Sequence, residues 1–168
     1  MLVQLRQTIA LLILMATTTT SMASQASDTE QPHEGRELRC LAQNVYFEAR
    51  GEPTAGQLAV AMVTMNRVYS EQYPDTICKV VWQRRQFSWT HDGKPDTPDD
   101  RKSWRMAKQI AEFVYKKYQD HHLRTKGAVD LTKGALYYYA PKLANPHWAP
   151  LKEVTTQIGS HVFLKSRS

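Results

Sequence analysis

The sequence predicts an α+β fold in which helices come first and a small antiparallel sheet ends the chain. Three observations carry this. Apolar residues recur at spacings of three and four up to about residue 119, the period of helices with one buried face. Beyond residue 134 the segments are short and rich in aromatic and β-branched residues. The 168 residues, 42% apolar and 10% aromatic, suit one core rather than two domains. That composition excludes a disordered chain, and Gly at 7 and Pro at 8 exclude a collagen-like one.

Leu38, Leu41, Ala42, Val45 and Ala49 give an amphipathic helix over residues 36–50. It must stop near Gly51, because Pro53 disfavours helix at the residue before it. Thr54-Ala-Gly-Gln57 has capping-box spacing and starts a second helix, with Leu58, Ala61, Met62, Met65 and Tyr69 on one face. After the break at Tyr73-Pro74-Asp75, Thr76 to Gln83 forms a short helix that turns Ile77, Val80 and Val81 inward. Residues 86–100 are loop. Asp100 caps a long helix from Arg101 to about Gln119, with Trp104, Ala107, Ala111, Val114, Tyr115 and Tyr118 on its buried face. Residues 135–139, 154–158 and 161–164 are strands, the last two joined by a hairpin turn at Gly159-Ser160.

The N-terminus is an address. Arg6 precedes the apolar run Ile9 to Ala16, and Ser21-Met22-Ala23 follows, so residues 1–23 read as a secretory signal cleaved after Ala23, with Ala26 nearly as good. The run is far short of the ~20 residues that a spanning helix needs, so no stable membrane insertion is expected. No Cys near the cleavage point marks a lipoprotein. Residues 24–35 are polar and read as a flexible leader, and residues 36–168 as the folded domain. The protein is expected in the periplasm or the extracellular cell-wall space.

Formal net charge is +6, and loss of Arg6 with the signal leaves 6 − 1 = +5. The cations are dispersed: no basic arm, zinc finger or RNA-binding signature occurs, so nucleic acid is not an expected partner. The two cysteines, Cys40 and Cys78, are expected to pair in an oxidising compartment. No cofactor or metal is expected. HExxH and CxxC are absent, the adjacent His121-His122 cannot share one helix face, and the acidic loop 91–100 lacks calcium-loop spacing.

One carboxylate is out of place. Glu48 follows Val45 by three and Leu41 by seven, which sets it on the apolar stripe of the first helix near its C-terminal end. A solvated Glu belongs on the opposite face, where Glu37 is expected. Burial and the negative end of the helix dipole both resist ionisation, which suits a carboxyl that donates a proton at neutral pH. The alternative is an ion pair with Arg50, Arg67 or another cation. Glu52 is the second carboxylate, at the helix exit.

The stretch Leu41-Ala-Gln-Asn-Val-Tyr-Phe-Glu-Ala-Arg-Gly-Glu-Pro53, followed by Gly56-Gln-Leu-Ala-Val-Ala-Met-Val-Thr-Met-Asn-Arg-Val68, closely resembles the SleB/CwlJ-type cell wall hydrolase family. Further blocks in the same order extend the resemblance over about residues 38–165: Tyr73 to Cys78, Val80 to Gln83, Gln86-Phe-Ser88, Gly134 to Tyr139 and Ile158 to Phe163. The resemblance implies a lysozyme-related α+β fold, peptidoglycan as substrate and Glu48 as the catalytic residue. No separate peptidoglycan-binding repeat is read before the domain, so targeting rests on the domain itself or on a partner protein. A monomer is expected.

Glycosidases commonly use two carboxylates. Muramic acid allows one, because its own C6 hydroxyl can attack the anomeric carbon and leave a 1,6-anhydro end. The resemblance favours this lytic transglycosylation. A hydrolytic muramidase, assisted by Glu52 or an aspartate of residues 92–100, and a non-catalytic cell-wall-binding module stay open. Glycan grooves pair aromatics with hydroxyls, so Phe87, Ser88, Tyr138 and Thr64 are the substrate-binding candidates beside Glu52. Asn66 and Arg67 are expected as structural support, with Arg67 orienting Glu48, and His161 as a satisfied strand histidine.

Overall fold

The structure, a computed structural model, describes residues 27–120 and 130–167. The expected signal over 1–23 and the pair His121-His122 lie outside the described residues. The order of elements is α1 (Ser27–Ala49), α2 (Thr54–Val68), α3 (Ile77–Val81), α4 (Arg101–Gln119), β1 (Tyr137–Tyr139), β2 (Lys152–Ile158) and β3 (His161–Ser166). The α+β class is as the sequence predicts. A short 3-10 helix, Ser88–His91, interrupts the loop expected over 86–100.

Two boundaries differ from expectation. Helix α1 extends back to Ser27, through the stretch read as a flexible leader. At the start of α2 the capping box does not form. Pro53 is the N-cap with no side-chain hydrogen bond, and the Gln57 amide donates instead to the Glu52 carbonyl at 2.9 Å. The caps of α3 and α4 do form: Thr76 accepts from the Lys79 amide, and Asp100 from the Ser103 amide at 2.6 Å.

Helices α1, α2 and α4 pack around a core of Leu41, Val45, Tyr46, Met65, Val114 and Tyr118, all fully or almost fully buried. Cys40 and Cys78 are bonded, with Cα atoms 5.3 Å apart, and tie α1 to α3. A cross-link over a loop of this length is worth about 3–4 kcal/mol in the chain-entropy model. Glu37 is not on the solvated face. It is 5% exposed and accepts from the Cys78 amide at 2.9 Å, beside the bridge.

The antiparallel sheet has the order β1-β3-β2, so among the described residues the one strand paired with β1 is β3. Tyr138 stands opposite Phe163, which is buried with Ala59, Val63 and Ala135 and seats the sheet on α2. The β2–β3 hairpin turns at Gly159, whose φ of +60° suits glycine. Ahead of β1, Asn66 on α2 donates to Asp130 at 2.9 Å, Thr132 at 3.2 Å and the Ala135 carbonyl at 3.1 Å, and accepts from the Tyr118 hydroxyl at 2.8 Å. With every polar atom used, Asn66 locks the approach to β1 onto α2 and α4.

Candidate active site

The last turn of α1, the loop after α3 and the start of the sheet enclose a cleft of about 470 Å³. Glu48, Arg67, Arg85, Phe87, Tyr138 and Lys152 are among its lining residues, with the aromatic rings of Tyr73, Tyr137 and Trp148. Glu48 reaches it because the apolar stripe of α1 ends there. Its neighbours on that stripe, Leu41 and Val45, are completely buried, whereas Glu48 is half-buried at the surface of the cleft.

Tyr138 donates to Glu48 Oε2 at 3.0 Å. Burial pushes the Glu48 carboxyl above the ordinary carboxylate value, although the Tyr138 hydrogen bond and the Arg67 charge both pull it down. With Oε2 accepting from tyrosine, a retained proton falls to Oε1. Burial, reinforced by the Glu48 charge, holds the Tyr138 phenol well above its ordinary value, so it stays a donor. Among the described residues no salt bridge to Glu48 occurs.

Arg67 is buried at 3% exposure and acts on Glu48 by charge alone. Its Nε donates to the Leu136 carbonyl at 2.8 Å. With the Gln86 amide turned so that its oxygen faces the guanidinium, both terminal nitrogens donate to it, at 2.9 and 3.2 Å. The plane also lies against the rings of Tyr73, Phe87 and Tyr138 at 5.3, 5.4 and 6.0 Å. Arg67 thus joins the two walls of the cleft, the loop carrying Phe87 and the strand carrying Tyr138.

Glu52 faces elsewhere. It does not line the cleft but grips the hairpin turn, accepting from the Ser160 amide at 2.9 Å and from the Ser160 hydroxyl. The fit is close: a Cβ on Gly159 would collide with Glu52 Oε2. Burial alone would raise this carboxyl, but the two Ser160 hydrogen bonds and the His161 charge outweigh it and hold it below the ordinary value. His161 Nδ1 stands 3.9 Å away without a hydrogen-bond partner among the described residues, and its ring meets Tyr138 edge-on at 5.3 Å between centroids. His161 is therefore not the satisfied strand histidine expected. Burial lowers its pKa, with Glu52 opposing.

Of the substrate-binding candidates, Phe87 and Tyr138 reach the cleft. Thr64 does not: it is fully buried, with its hydroxyl donating to the Val60 carbonyl and accepting from Asn44 at 3.0 Å. Ser88 is exposed and off the cleft, because the 3-10 turn that buries Phe87 and Trp89 rotates it outward. Asn44 is a residue the sequence reading passed over. Completely buried, it accepts from Trp89 Nε1 at 3.4 Å and, beside the Tyr138 phenol, opposes the rise of its pKa. Its signal was the one used for Glu48, a polar residue three after Leu41 on the same stripe. Tyr73, Arg85 and Lys152 were also passed over, since they come from separate segments and form no local pattern. Among the described residues no His/Cys/Asp/Glu group could hold a metal, and no helix is long and apolar enough to cross a membrane.

A family model described as Cell Wall Hydrolase matches residues 51–164. The spore cortex-lytic enzyme of Oceanobacillus iheyensis is 33% identical over 135 residues, covering 80% of this chain and 44% of that protein. That of Bacillus subtilis is 32% identical over 127 residues, 76% of this chain and 37% of that protein. The chain thus spans less than half the length of these relatives. Among solved structures, the catalytic domain of the Bacillus cereus SleB protein superposes with a TM-score of 0.61 at 31% identity, covering 78% of this chain and 91% of that one. The catalytic domain of the germination-specific lytic transglycosylase SleB from Bacillus anthracis gives 0.61 at 33% identity, covering 77% and 93%. With its model matched over most of the described fold, the chain belongs to the cell wall hydrolase family.

Proposed function

We propose that this protein degrades peptidoglycan outside the cytoplasm by lytic transglycosylation at N-acetylmuramic acid, with Glu48 as acid and then base. One observation carries the reading: Glu48 is the only carboxylate among the described residues lining the cleft, and its surroundings favour the protonated form. A single acid suits a reaction in which the sugar supplies the nucleophile. The Glu48 proton passes to the glycosidic oxygen as the bond from C1 breaks. The muramic C6 hydroxyl then closes on C1 and returns its proton to the Glu48 carboxylate. The products are a new hydroxyl end and a 1,6-anhydro end, and no water is consumed. Tyr138 keeps Glu48 oriented through both transfers. The name of the Bacillus anthracis neighbour, a lytic transglycosylase, supports the same chemistry. The Cys40–Cys78 bridge supports export.

The test is digestion of purified sacculi followed by mass spectrometry of the released muropeptides. Anhydro ends are expected. Reducing ends, heavier by one water, would make the protein a hydrolytic muramidase. Binding without soluble product would make it a wall-binding module.

A further inference from the structure

The cleft carries more positive charge than a neutral glycan needs. Arg67, Arg85 and Lys152 line it against one carboxylate, Glu48, which is itself biased towards neutrality. Arg67 is committed to Leu136, Gln86 and three rings, as described above. Arg85 and Lys152 are not so committed. Arg85 is exposed and makes no hydrogen bond or ion pair with a described residue, which leaves its guanidinium donors unassigned. Its backbone lies at φ +63°, a conformation costly for a side-chain-bearing residue and concentrated at functional sites. Lys152 lies over the Tyr137 ring at 4.2 Å and reaches the Ser166 hydroxyl at 3.5 Å, with no acidic partner among the described residues. The two cations stand on different walls, Arg85 in the loop after α3 and Lys152 at the start of β2.

We propose that Arg85 and Lys152 form a carboxylate-binding subsite for the lactyl arm of muramic acid. That arm ends in a carboxylate when bare and continues into a carboxylate-bearing stem peptide when substituted. This rests on the cleft being the glycan site, and it goes further by making the enzyme select charged strands over neutral ones. A guanidinium with a full set of free donors matches a carboxylate in two parallel hydrogen bonds, and the ammonium adds a point charge. On this assignment both contacts go to the lactyl arm rather than to the atoms of the scissile bond, and hold substrate and transition state alike. They should therefore act on KM rather than on kcat.

The experiment compares wild type, Arg85→Gln, Lys152→Gln and the double variant on three polymers: intact sacculi, strands stripped of stem peptides by an amidase, and sacculi whose carboxyls are converted to neutral amides. Apparent KM and kcat are read from turnover, and affinity from co-sedimentation in a Glu48→Gln background. Each single change is expected to raise KM about fivefold on intact sacculi with kcat moving less than about twofold, as for a partly exposed charged contact. The difference between wild type and variants should vanish on the amidated polymer. A KM effect that persists on stripped strands assigns the subsite to the lactyl carboxylate, and one confined to intact sacculi assigns it to the stem peptide. Unchanged KM and affinity for the variants on intact sacculi, or an equal loss on the amidated polymer, would overturn the proposal. Absent turnover with charge-dependent co-sedimentation would instead sink the catalytic reading and leave the subsite standing.

Discussion

Glu48 and Glu52 belong to one short motif and meet opposite surroundings. Glu48 is at the last turn of α1 with a tyrosine hydroxyl and a cleft around it, and burial raises its pKa. Glu52 lies just past the helix, wrapped by the Ser160 amide and hydroxyl, and its pKa is lowered. The first can keep a proton to donate. The second is held as an anion, because each donor around it stabilises charge. On the proposed function, two carboxylates of the same kind are divided between chemistry and construction by what faces them, and proximity in sequence says nothing of shared duty.

The largest test of this division is kinetic. Glu48→Gln should lower kcat by about 10³-fold with no loss of melting temperature, since an amide cannot donate the proton. Glu52→Gln should keep most of its turnover. Turnover of sacculi by both variants, read beside their thermal melts, decides it; a dead Glu52→Gln with an unchanged melt would break the comparison.

Stability should move the other way. Glu52→Gln exchanges charge-assisted hydrogen bonds for neutral ones at a cost of about 1–2 kcal/mol near neutral pH. Because its folded pKa lies below the ordinary value of 4.5, the stabilisation is present above that value and fades as pH falls through the folded one. Urea unfolding of wild type and variant should therefore converge in acid. For Glu48 the sign reverses. Its folded pKa is raised, so its favourable contribution is complete below the ordinary value and is lost as pH rises through the raised one. Glu48→Gln should therefore gain on wild type towards higher pH in the same measurement.

A smaller effect probes the closeness of the Glu52 latch. Gly159→Ala should destabilise the wild type through both the clash with Glu52 and the positive φ, and the Glu52→Ala background through φ alone. A double-mutant cycle should show a coupling of about 1 kcal/mol. Smaller again is a displacement of the pH profile. Tyr138 pulls the Glu48 pKa down, so Tyr138→Phe should move the descending alkaline limb of kcat/KM to higher pH. A limb moved to lower pH would mean that tyrosine favours the neutral acid. The smallest expected effect is that of salt. From low ionic strength to a few hundred millimolar, sacculus binding should weaken several-fold and saturated turnover stay nearly unchanged, because Debye screening over about 8–10 Å reaches exposed cations but not a half-buried acid.

Much of this was legible in the chain. Periodicity located the buried face of α4, Asp100 announced its start, and Gly159-Ser160 marked the hairpin. Glu48 stood out because a carboxylate interrupted an apolar stripe. What escaped was whatever tertiary contact alone decides. Thr64 has the hydroxyl that a sugar site wants, yet α2 turns it to Asn44 in the interior. Glu37 looked solvated until α3 folded over it and supplied the Cys78 amide. The capping box at Thr54 failed because Pro53 takes the N-cap position and Gln57 finds the Glu52 carbonyl. Arg85 and Lys152 fall in different segments and became neighbours of one cleft only on folding.

The sheet order has a consequence for when the cleft is completed during synthesis. Glu48 emerges early in synthesis, but Tyr138, its hydrogen-bond partner, is on a strand whose only neighbour in the sheet is β3, His161–Ser166. A nascent chain can form α1 and its acidic residue long before anything holds the acid in place, since contacts so distant in sequence close late. The cleft around Glu48 is therefore incomplete until β3 has been made. Any earlier intermediate carries α1 and Glu48 without the strand that orients the carboxyl.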